Sequence, residues 1–349
     1  MAKTIETYEG MPVIEANDSK ALEKKLEKMD GIKPPFAVKI SSRTKMIKEN
    51  AFSRCTDIAA ILIPDSVTEI GYQAFSGCTG LTSVCIPDSV TEIGNYAFED
   101  CTGLTSIEIP DSVKEIGSGT FAGCTGLIAI CVSEANPAYH SSGNCLIHTE
   151  SHTLIIGCNH SVIPSSVTEI GSSAFSGCTR LTSVCIPDSV TEIGRSAFSG
   201  CTGLTSINIP DSVTEIGSGA FAGCTGLTSI EIPDSVTEIG SGAFSGCKGL
   251  TAINIPNSVT VIESYTFANC ERLTSVDIPD SVTKIDSEAF VYCTELTSVN
   301  IPDSVTYIGD EAFFGCKLTS VNIPDSVKYI GWQAILDCPG KPQKRKIYK

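Results

Sequence analysis

A 23-residue pattern recurs along most of this chain and constrains its fold more than any other feature. The segment IPDSVTEIGYQAFSGCTGLTSVC begins at Ile63 and returns almost unchanged at Ile86 and Ile109. Including a degenerate first copy, the repeats begin at residues 40, 63, 86, 109, 163, 186, 209, 232, 255, 278, 301 and 323. The last step is 22 residues long, and residues 132–162 interrupt the series once. A period of this length is typical of proteins whose repeats stack side by side.

Each repeat combines two short structural signals. Val84 and Ile86 alternate with polar or small residues, which is the period-2 pattern of a short strand with one buried face. The proline that follows Ile86 cannot donate to a strand ladder and ends the strand, and Gly94 supplies a turn. Residues 95–100 have room for about one or two helical or 3₁₀ turns that bury Phe98. The predicted repeat is a strand, a turn, a short irregular helix and a second turn.

A single repeat of this kind buries too few apolar side chains to offset the entropy of ordering its 23 residues. Stacking adds burial and strand hydrogen bonds between neighbouring repeats. The predicted fold class is therefore an α/β repeat solenoid. It has a parallel sheet on the concave face and short irregular or 3₁₀ segments on the convex face.

The repeat pattern LTSVxIPDSVTEIGxxAFxGCTG resembles the BspA-type leucine-rich repeat over residues 40–338. In that family an LxxLxL strand precedes a proline-containing turn and an AFxxC convex segment. The interrupting sequence GNCLIHTESHTLIIGC, residues 143–158, is similar to the hairpin-like unit that commonly splits such arrays. The resemblance implies a leucine-rich-repeat solenoid. It also implies a surface or secreted binding protein of a host-associated microbe.

These patterns divide the chain into five predicted segments. They are an N-terminal cap (1–39), a first repeat block (40–131), a hairpin-like insert (132–162), a second repeat block (163–338) and a basic tail (339–349). Within the cap, Asp18 or Ser19 is expected to start a short amphipathic helix. Its apolar face is Leu22, Leu26 and Met29, and Gly31 ends it. Covering the exposed end of the stack is the favoured role of this helix, and docking a partner is the alternative.

The net charge of −16 and the pI of about 4.7 disfavour a nucleic-acid groove or an anionic membrane surface as the partner. A basic or hydrogen-bonding protein surface is favoured instead.

No apolar run is long enough to cross a membrane, so membrane insertion is not expected. The opening residues MAKTIETYEG lack the basic and apolar regions of a secretory signal. This favours a cytoplasmic location, whereas the family resemblance implies the cell surface or secretion.

Twelve of the 17 cysteines occupy one position of the repeat: residues 55, 78, 101, 124, 178, 201, 224, 247, 270, 293, 316 and 338. Equivalent side chains in successive repeats lie parallel and about 4.8 Å apart, a geometry that opposes disulfide formation. Small apolar thiols packed between repeats are the favoured interpretation. Cys85, Cys131 and Cys185 fall on the outward strand position, where they should be exposed. Exposed thiols favour a reducing compartment.

All four histidines, at positions 140, 148, 152 and 160, lie in the insert beside Cys145 and Cys158. A zinc site is one interpretation of this clustering. Core thiols with solvent-facing imidazoles on a hairpin are the favoured interpretation, because no CxxC pair accompanies the histidines. We therefore predict no metal and no cofactor.

The outward strand position just before each Ile-Pro varies between repeats, while the core positions stay constant. The predicted partner-binding residues on this concave face are Glu108, Asn208, Glu231, Asn254, Asp277, Asn300 and Asn322. A polar face that only keeps the chain soluble is an equally weighted alternative. The Asp and Glu of PDSVTE hardly vary within the chain, which indicates turn chemistry more than recognition.

No nucleophile elbow, phosphate loop, nucleotide fingerprint or HExxH motif occurs, so no catalytic residue is expected. The favoured function is a non-catalytic scaffold that binds protein through its polar, acidic concave face. By resemblance this includes adhesion or host contact. A structural or self-assembling protein is the alternative. Capping the end of the stack is the favoured interpretation of the aromatic residues near the carboxyl end, and a patch for a partner or for self-association is the other; they are Tyr265, Tyr292, Tyr307, Phe314, Tyr329 and Trp332.

Overall fold

The computed structural model describes residues 7–27 and 33–335, which fall into two compact units, Met1–Val162 and Ile163–Lys349. Each unit is a stack of coils, one coil for each sequence repeat. Parallel strands from successive coils pair with one another, and the only helix of the described residues is short. The predicted solenoid fold is confirmed. The positions predicted for Met29, Gly31, Cys338 and the basic tail lie outside the described residues.

Each coil contributes to two rows of parallel strands, where the sequence predicted one. The first strand row contains the predicted strand before Ile-Pro. The second strand row contains the Glu-Ile dipeptide of the PDSVTEI motif or its equivalent. Thr68, just before this dipeptide, donates its amide to the carbonyl of Lys45 in the preceding coil (2.8 Å). This segment therefore contributes a short strand to a parallel sheet, in addition to forming a turn.

In the N-terminal unit, the first strand row is Met11–Glu15, Phe36–Lys39, Ile58–Leu62, Ser83–Cys85, Ser106–Ile109 and Ala129–Val132. A short antiparallel strand, Thr7–Tyr8, lies on its outer edge. The second row is Met46–Ile47, Glu69–Ile70, Glu92–Ile93 and Glu115–Ile116. Pairing is parallel and aligns equivalent residues, as in Ile70 with Ile93.

In the C-terminal unit, the second strand row is Glu169–Ile170, Glu192–Ile193, Glu215–Ile216, Glu238–Ile239, Val261–Ile262, Lys284–Ile285, Tyr307–Ile308 and Tyr329–Ile330. The first row starts as single bridges that join Cys185, Asn208 and Glu231. It continues as the strands Ala252–Asn254, Ser275–Asp277, Ser298–Asn300 and Ser320–Asn322.

The amino-terminal helix spans Ser19–Leu26. Asp18 caps it, because the Asp18 carboxylate accepts a hydrogen bond from the amide of Ala21 (2.7 Å). Leu22 is buried in the core of the N-terminal unit, and Leu26 packs against that core half-buried. The flanking strands Met11–Glu15 and Phe36–Lys39 pair in parallel, so the helix connects two strands of the first row.

The segment that carries the repeat phenylalanine is a series of tight turns, and the short helix predicted for it does not form in the described residues. Phe75 donates its amide to the carbonyl of Ala97 in the next coil (2.8 Å), and Gly77 does the same to Glu99 (2.7 Å). Gln73 and Gly77 adopt positive φ angles of 49° and 73°. Glycine occupies the second of these positions in most repeats, because it reaches this conformation without a steric penalty. These backbone bonds link neighbouring coils along a third line, beside the two strand rows.

The core of each unit is built around a stack of phenylalanine rings. Four rings, from Phe52 to Phe121, stack with centroids 5.2–5.6 Å apart in the N-terminal unit. Seven rings, from Phe175 to Phe313, stack at 5.1–5.6 Å in the C-terminal unit. Phe98 is fully buried, which confirms its predicted inward position. Each ring contacts the coils before and after it, so no coil completes its core alone.

The recurring serine and threonine side chains bond to the preceding coil. The Ser89 hydroxyl donates to the carbonyl of Val67 (2.6 Å). The Thr91 hydroxyl donates to the carbonyl of Thr68 (3.2 Å). Because these side chains serve the stack, their near-constant identity reflects folding and carries no information about a partner.

The insert contains three antiparallel strands, Tyr139–Ser142, Cys145–His148 and Thr153–Ile156. Its first strand is anchored on the last coil of the first block. The amide of Ile116 donates to the Tyr139 hydroxyl oxygen (3.0 Å), and the Asn136 side-chain amide donates to the carbonyls of Pro110 and Val113 (2.6 and 3.0 Å). Burial raises the pKa of the Tyr139 hydroxyl, which keeps it protonated.

Candidate partner-binding surface

The residues just before Ile-Pro in the first strand row point to solvent, except Leu62, which is half-buried, and we call the set of these residues the outward column. All seven residues predicted for partner binding belong to it and are exposed. In the C-terminal unit, Asn254 aligns with Asp277, Asp277 with Asn300, and Asn300 with Asn322. Asn208 and Glu231 form another aligned pair. The structure thus brings together the six predicted residues of this unit as neighbours along one face.

Strand alternation explains this exposure. Val276 and Val299, the residues before Asp277 and Asn300, are only 6% and 8% exposed and lie in the core. Side chains of adjacent strand residues point to opposite faces, so the polar partner of each buried valine must face water. The outward column can therefore change between coils without disturbing the core.

In the N-terminal unit the outward column differs in chemistry. Glu108 aligns with Cys131 on the neighbouring strand, and Cys85 aligns with Leu62. Cys85 and Cys131 are exposed, as is Cys185 in the C-terminal unit, which confirms their predicted placement. Glu108 thus has a thiol as its aligned neighbour, as does Asn208, which is bridged to Cys185.

The repeat-position cysteines have a role that sequence reasoning missed. The Cys101 thiol donates to the carbonyl of Phe75 in the preceding coil (3.2 Å), and the Cys224 thiol donates to the carbonyl of Phe198 (3.1 Å). Both thiols are fully buried. Burial raises the pKa of Cys224 to about 12, so the thiol stays protonated at neutral pH and is a poor nucleophile.

Two of the four insert histidines lie within hydrogen-bond distance of nearby hydroxyl groups. His148 Nδ1 lies 2.9 Å from the Ser151 hydroxyl, and His140 Nδ1 lies 3.1 Å from the Thr149 hydroxyl. Cys145 is buried, and burial raises its thiol pKa to about 11. Across residues 7–27 and 33–335, no three His, Cys, Asp or Glu side chains come together as a metal site requires.

The second strand row carries a column of carboxylates. Glu69, Glu92 and Glu115 align on adjacent strands of the N-terminal unit. In the C-terminal unit, burial and the flanking Glu169 and Glu215 raise the pKa of Glu192. The sequence showed this row of glutamates and assigned it to turn chemistry. It missed the strands that carry the row, because a two-residue strand is too short to show a period of two.

A groove of about 900 Å³ runs along the second strand row of the N-terminal unit. We call it the second-row groove. It is lined by Met46, Lys48, Glu49, Glu69, Gly71, Tyr72, Glu92, Ile93, Gly94, Asn95, Lys114, Glu115, Ile116, Gly117, Tyr139 and His148. Its volume lies within the range of protein ligand sites.

Aromatic side chains replace the carboxylates near the end of the C-terminal unit. The rings of Tyr307 and Tyr329 stack with centroids 4.6 Å apart, and the Lys284 ammonium lies 5.4 Å from the Tyr307 ring centre. Trp332 is 66% exposed. Exposed aromatic residues of this kind are frequent in protein interfaces.

Stacked coils, a phenylalanine core and a variable outward column define a leucine-rich-repeat solenoid. A fold of this class is generally a non-enzymatic scaffold for protein interactions. Six copies of the BspA type leucine rich repeat region match residues 45–160, 146–270 and 215–340. The chain belongs to this BspA-type leucine-rich-repeat family.

Solved structures resemble the chain over most of its length. A leucine-rich repeat protein from Eubacterium ventriosum is 25% identical, with a TM-score of 0.71, over 91% of this chain and 89% of that one. A leucine rich cell surface protein from Faecalibacterium prausnitzii is 29% identical, with a TM-score of 0.56, over 87% and 86%. The pneumococcal vaccine antigen PcpA shares the fold at 20% identity, with a TM-score of 0.60, over 87% and 79%. None of the curated proteins compared with the chain matches it.

Within the described residues, no helix has both the length and the apolar character needed to span a bilayer.

Proposed function

We propose that the chain is a non-catalytic recognition scaffold that binds a basic or hydrogen-bonding protein surface through the outward column of its first strand row. The observation that carries this proposal is the aligned, exposed set Asn254, Asp277, Asn300 and Asn322. These side chains vary where the core does not, and they offer carboxylate and amide groups at a regular spacing of about 4.8 Å. Such a row complements cationic and hydrogen-bonding groups on a partner.

One relative supports a cell-surface location for this role. The Faecalibacterium prausnitzii structure, 29% identical to the chain, is of a cell surface protein. A surface location would place the outward column where it contacts other cells or host proteins, and adhesion is the proposed biological role.

A charge-reversal triple tests the binding surface. Replacing Glu231, Asp277 and Asn300 by lysine leaves the buried residues unchanged and reverses the charge of the column. Once a partner has been identified by chemical cross-linking to the native protein, its Kd for the purified triple variant is measured by isothermal titration calorimetry. We expect at least a hundredfold weaker binding, because lysines replace groups that would face a basic partner.

A second triple serves as the matched control. Asp234, Asn257 and Asp280 are exposed residues of the turns that follow the first-row strands. Changing them to lysine alters the same number of carboxylates and amides by the same charge. The proposal expects the control to bind within about threefold of wild type. An equal loss of affinity in both triple variants, or unchanged affinity in the column triple, would show that the interface lies elsewhere on the protein.

Self-association is the second candidate, and exposed aromatic residues of the C-terminal unit favour it. Tyr292 and Trp332 are 48% and 66% exposed. Sedimentation velocity over a hundredfold concentration range tests it. A concentration-dependent assembly that Trp332→Ser dissolves would support self-association, and a monomer throughout would remove it.

A further inference from the structure

The second-row groove of the N-terminal unit lies on a different strand row from the outward column. Three successive coils line it with equivalent positions, which supply Glu69, Glu92 and Glu115. Met46 and Lys48 lie at the first coil of this row. Tyr139 and His148 of the insert lie at the last. The groove is therefore built from both the repeats and the segment that interrupts them.

Its length follows from the coil spacing. Three steps of about 4.8 Å, about 14 Å in all, separate the paired strands at Met46 and Glu115. Tyr139 of the insert lies next to the last of them, its hydroxyl bonded to the amide of Ile116, and extends the groove to roughly 19 Å. An extended peptide rises about 3.3 Å per residue, so about six residues fit along the groove.

Charge alone does not distinguish this groove, because the same carboxylate column recurs in the C-terminal unit as Glu169, Glu192, Glu215 and Glu238. The side chains around the carboxylates distinguish the groove from the column in the C-terminal unit. Met46 and Tyr72 are large apolar residues that are 45% and 44% exposed, and both line the groove. In the C-terminal unit, the position equivalent to Tyr72 is serine in the first coil, Ser172.

The side chains that line the second-row groove indicate which kind of ligand it favours. Four carboxylates line the groove against two lysines, Lys48 and Lys114, so a surplus of negative charge remains. The Tyr72 ring forms a T-shaped pair with Tyr96 (centroids 6.1 Å apart), and its exposed part offers an aromatic surface to a cationic side chain. Lysine and arginine side chains combine an apolar stem with a cationic head, and both parts find a counterpart here.

We propose that the second-row groove binds an extended segment of a partner protein, about six residues long and carrying several lysine or arginine side chains. The carboxylates of Glu69, Glu92 and Glu115 pair with its cationic groups. The Tyr72 ring packs against the stem of one of them, and the insert closes the far end of the groove. This site is separate from the outward column and does not depend on it.

Fluorescence anisotropy with the full chain tests the proposal. The probe is a fluorescein-labelled hexapeptide of alternating lysine and serine, and a peptide of alternating glutamate and serine is the negative probe. The groove triple Glu69→Gln, Glu92→Gln and Glu115→Gln should weaken binding of the basic probe about tenfold. The matched triple Glu192→Gln, Glu215→Gln and Glu238→Gln removes the same charge from the equivalent column of the C-terminal unit. It should change the Kd less than twofold.

A further variant separates the groove from bulk electrostatics. Tyr72→Ala leaves the charge unchanged and should weaken the basic probe about threefold to fivefold through loss of the ring contact. Circular dichroism checks that each variant is folded. Equal weakening by both glutamine triples would mean that the peptide responds only to net charge, and this would overturn the proposal. An unchanged Kd in the groove triple or in Tyr72→Ala would overturn it as well.

Discussion

The Cys101 thiol donates a hydrogen bond to the carbonyl oxygen of Phe75, 3.2 Å away in the preceding coil. The same oxygen accepts the amide of Cys78 within its own coil (3.1 Å). One carbonyl thus joins two coils. Cysteine suits the position because its small apolar body fills the interior while its thiol still donates weakly. This relationship recurs along both units and explains a cysteine column that needs no disulfide and no metal.

Cys224→Ala should lower the free energy of unfolding by about 1–2 kcal/mol. It removes the thiol that donates to Phe198 and leaves a small space between coils. Urea denaturation followed by circular dichroism measures the change. Cys85→Ala is the control, because Cys85 is exposed on the outward column, and it should shift the free energy by less than about 0.5 kcal/mol. Equal effects at both positions would show that the buried hydrogen bond contributes nothing.

Phe198→Ala should destabilise the protein by about 3–5 kcal/mol, since the Phe198 ring is fully buried between Phe175 and Phe221. Thermal and urea unfolding measure the loss. Phe314→Ala is the matched control, because Phe314 is half-buried and contacts Tyr292 at the surface. A loss at Phe198 no larger than the loss at Phe314 would contradict a core shared between coils.

Alkaline pH should destabilise the fold. Burial raises the thiol pKa from 9.0 to about 11 in Cys145 and to about 12 in Cys224 and Cys270. Above pH 9 the unfolded chain loses these protons first and the folded chain retains them, so stability falls as pH rises. The unfolding free energy should be steady from pH 7 to 9 and decline from pH 9 to 12. Cys224→Ala removes one of these thiols and should make the decline shallower, whereas an identical slope would contradict the assignment.

Glu192→Gln should stabilise the protein slightly at neutral pH. Burial and the neighbouring carboxylates Glu169 and Glu215 raise the pKa of Glu192, so its ionised form is disfavoured in the folded state. The expected gain is a few tenths of a kcal/mol, reduced at high salt and absent below the pKa of the carboxyl group. Glu108→Gln is the control, because Glu108 aligns with Cys131 rather than with a carboxylate. A stabilisation that is equal in both variants would point to net charge as the cause.

The sequence predicted the features that depend on position within a repeat. The alternation of Val84 and Ile86 with outward residues predicted the first strand row, and the outward exposure of Cys85 followed from it. The inward position of Phe98 was predicted from the short turns expected over residues 95–100, and its ring stacks on Phe75 in the core.

Other features depend on contacts between coils and could not be predicted in this way. The dipeptide Glu92–Ile93 forms a strand only because the coils before and after it supply its partners. The bond from Cys101 to Phe75 joins residues 26 positions apart. The second-row groove joins Met46, Tyr72 and His148, which lie on separate coils and on the insert, so no local motif marks it.

The central claim is that constant positions form a shared interior while the outward column faces water. Native alkylation with iodoacetamide at pH 8, mapped by peptide mass spectrometry, tests it without any substitution. We expect Cys85, Cys131 and Cys185 to be labelled in the folded protein. Cys101, Cys201 and Cys247 should be labelled only after unfolding. Labelling of these buried thiols at the rate of the exposed ones, or protection of the exposed three, would contradict the account.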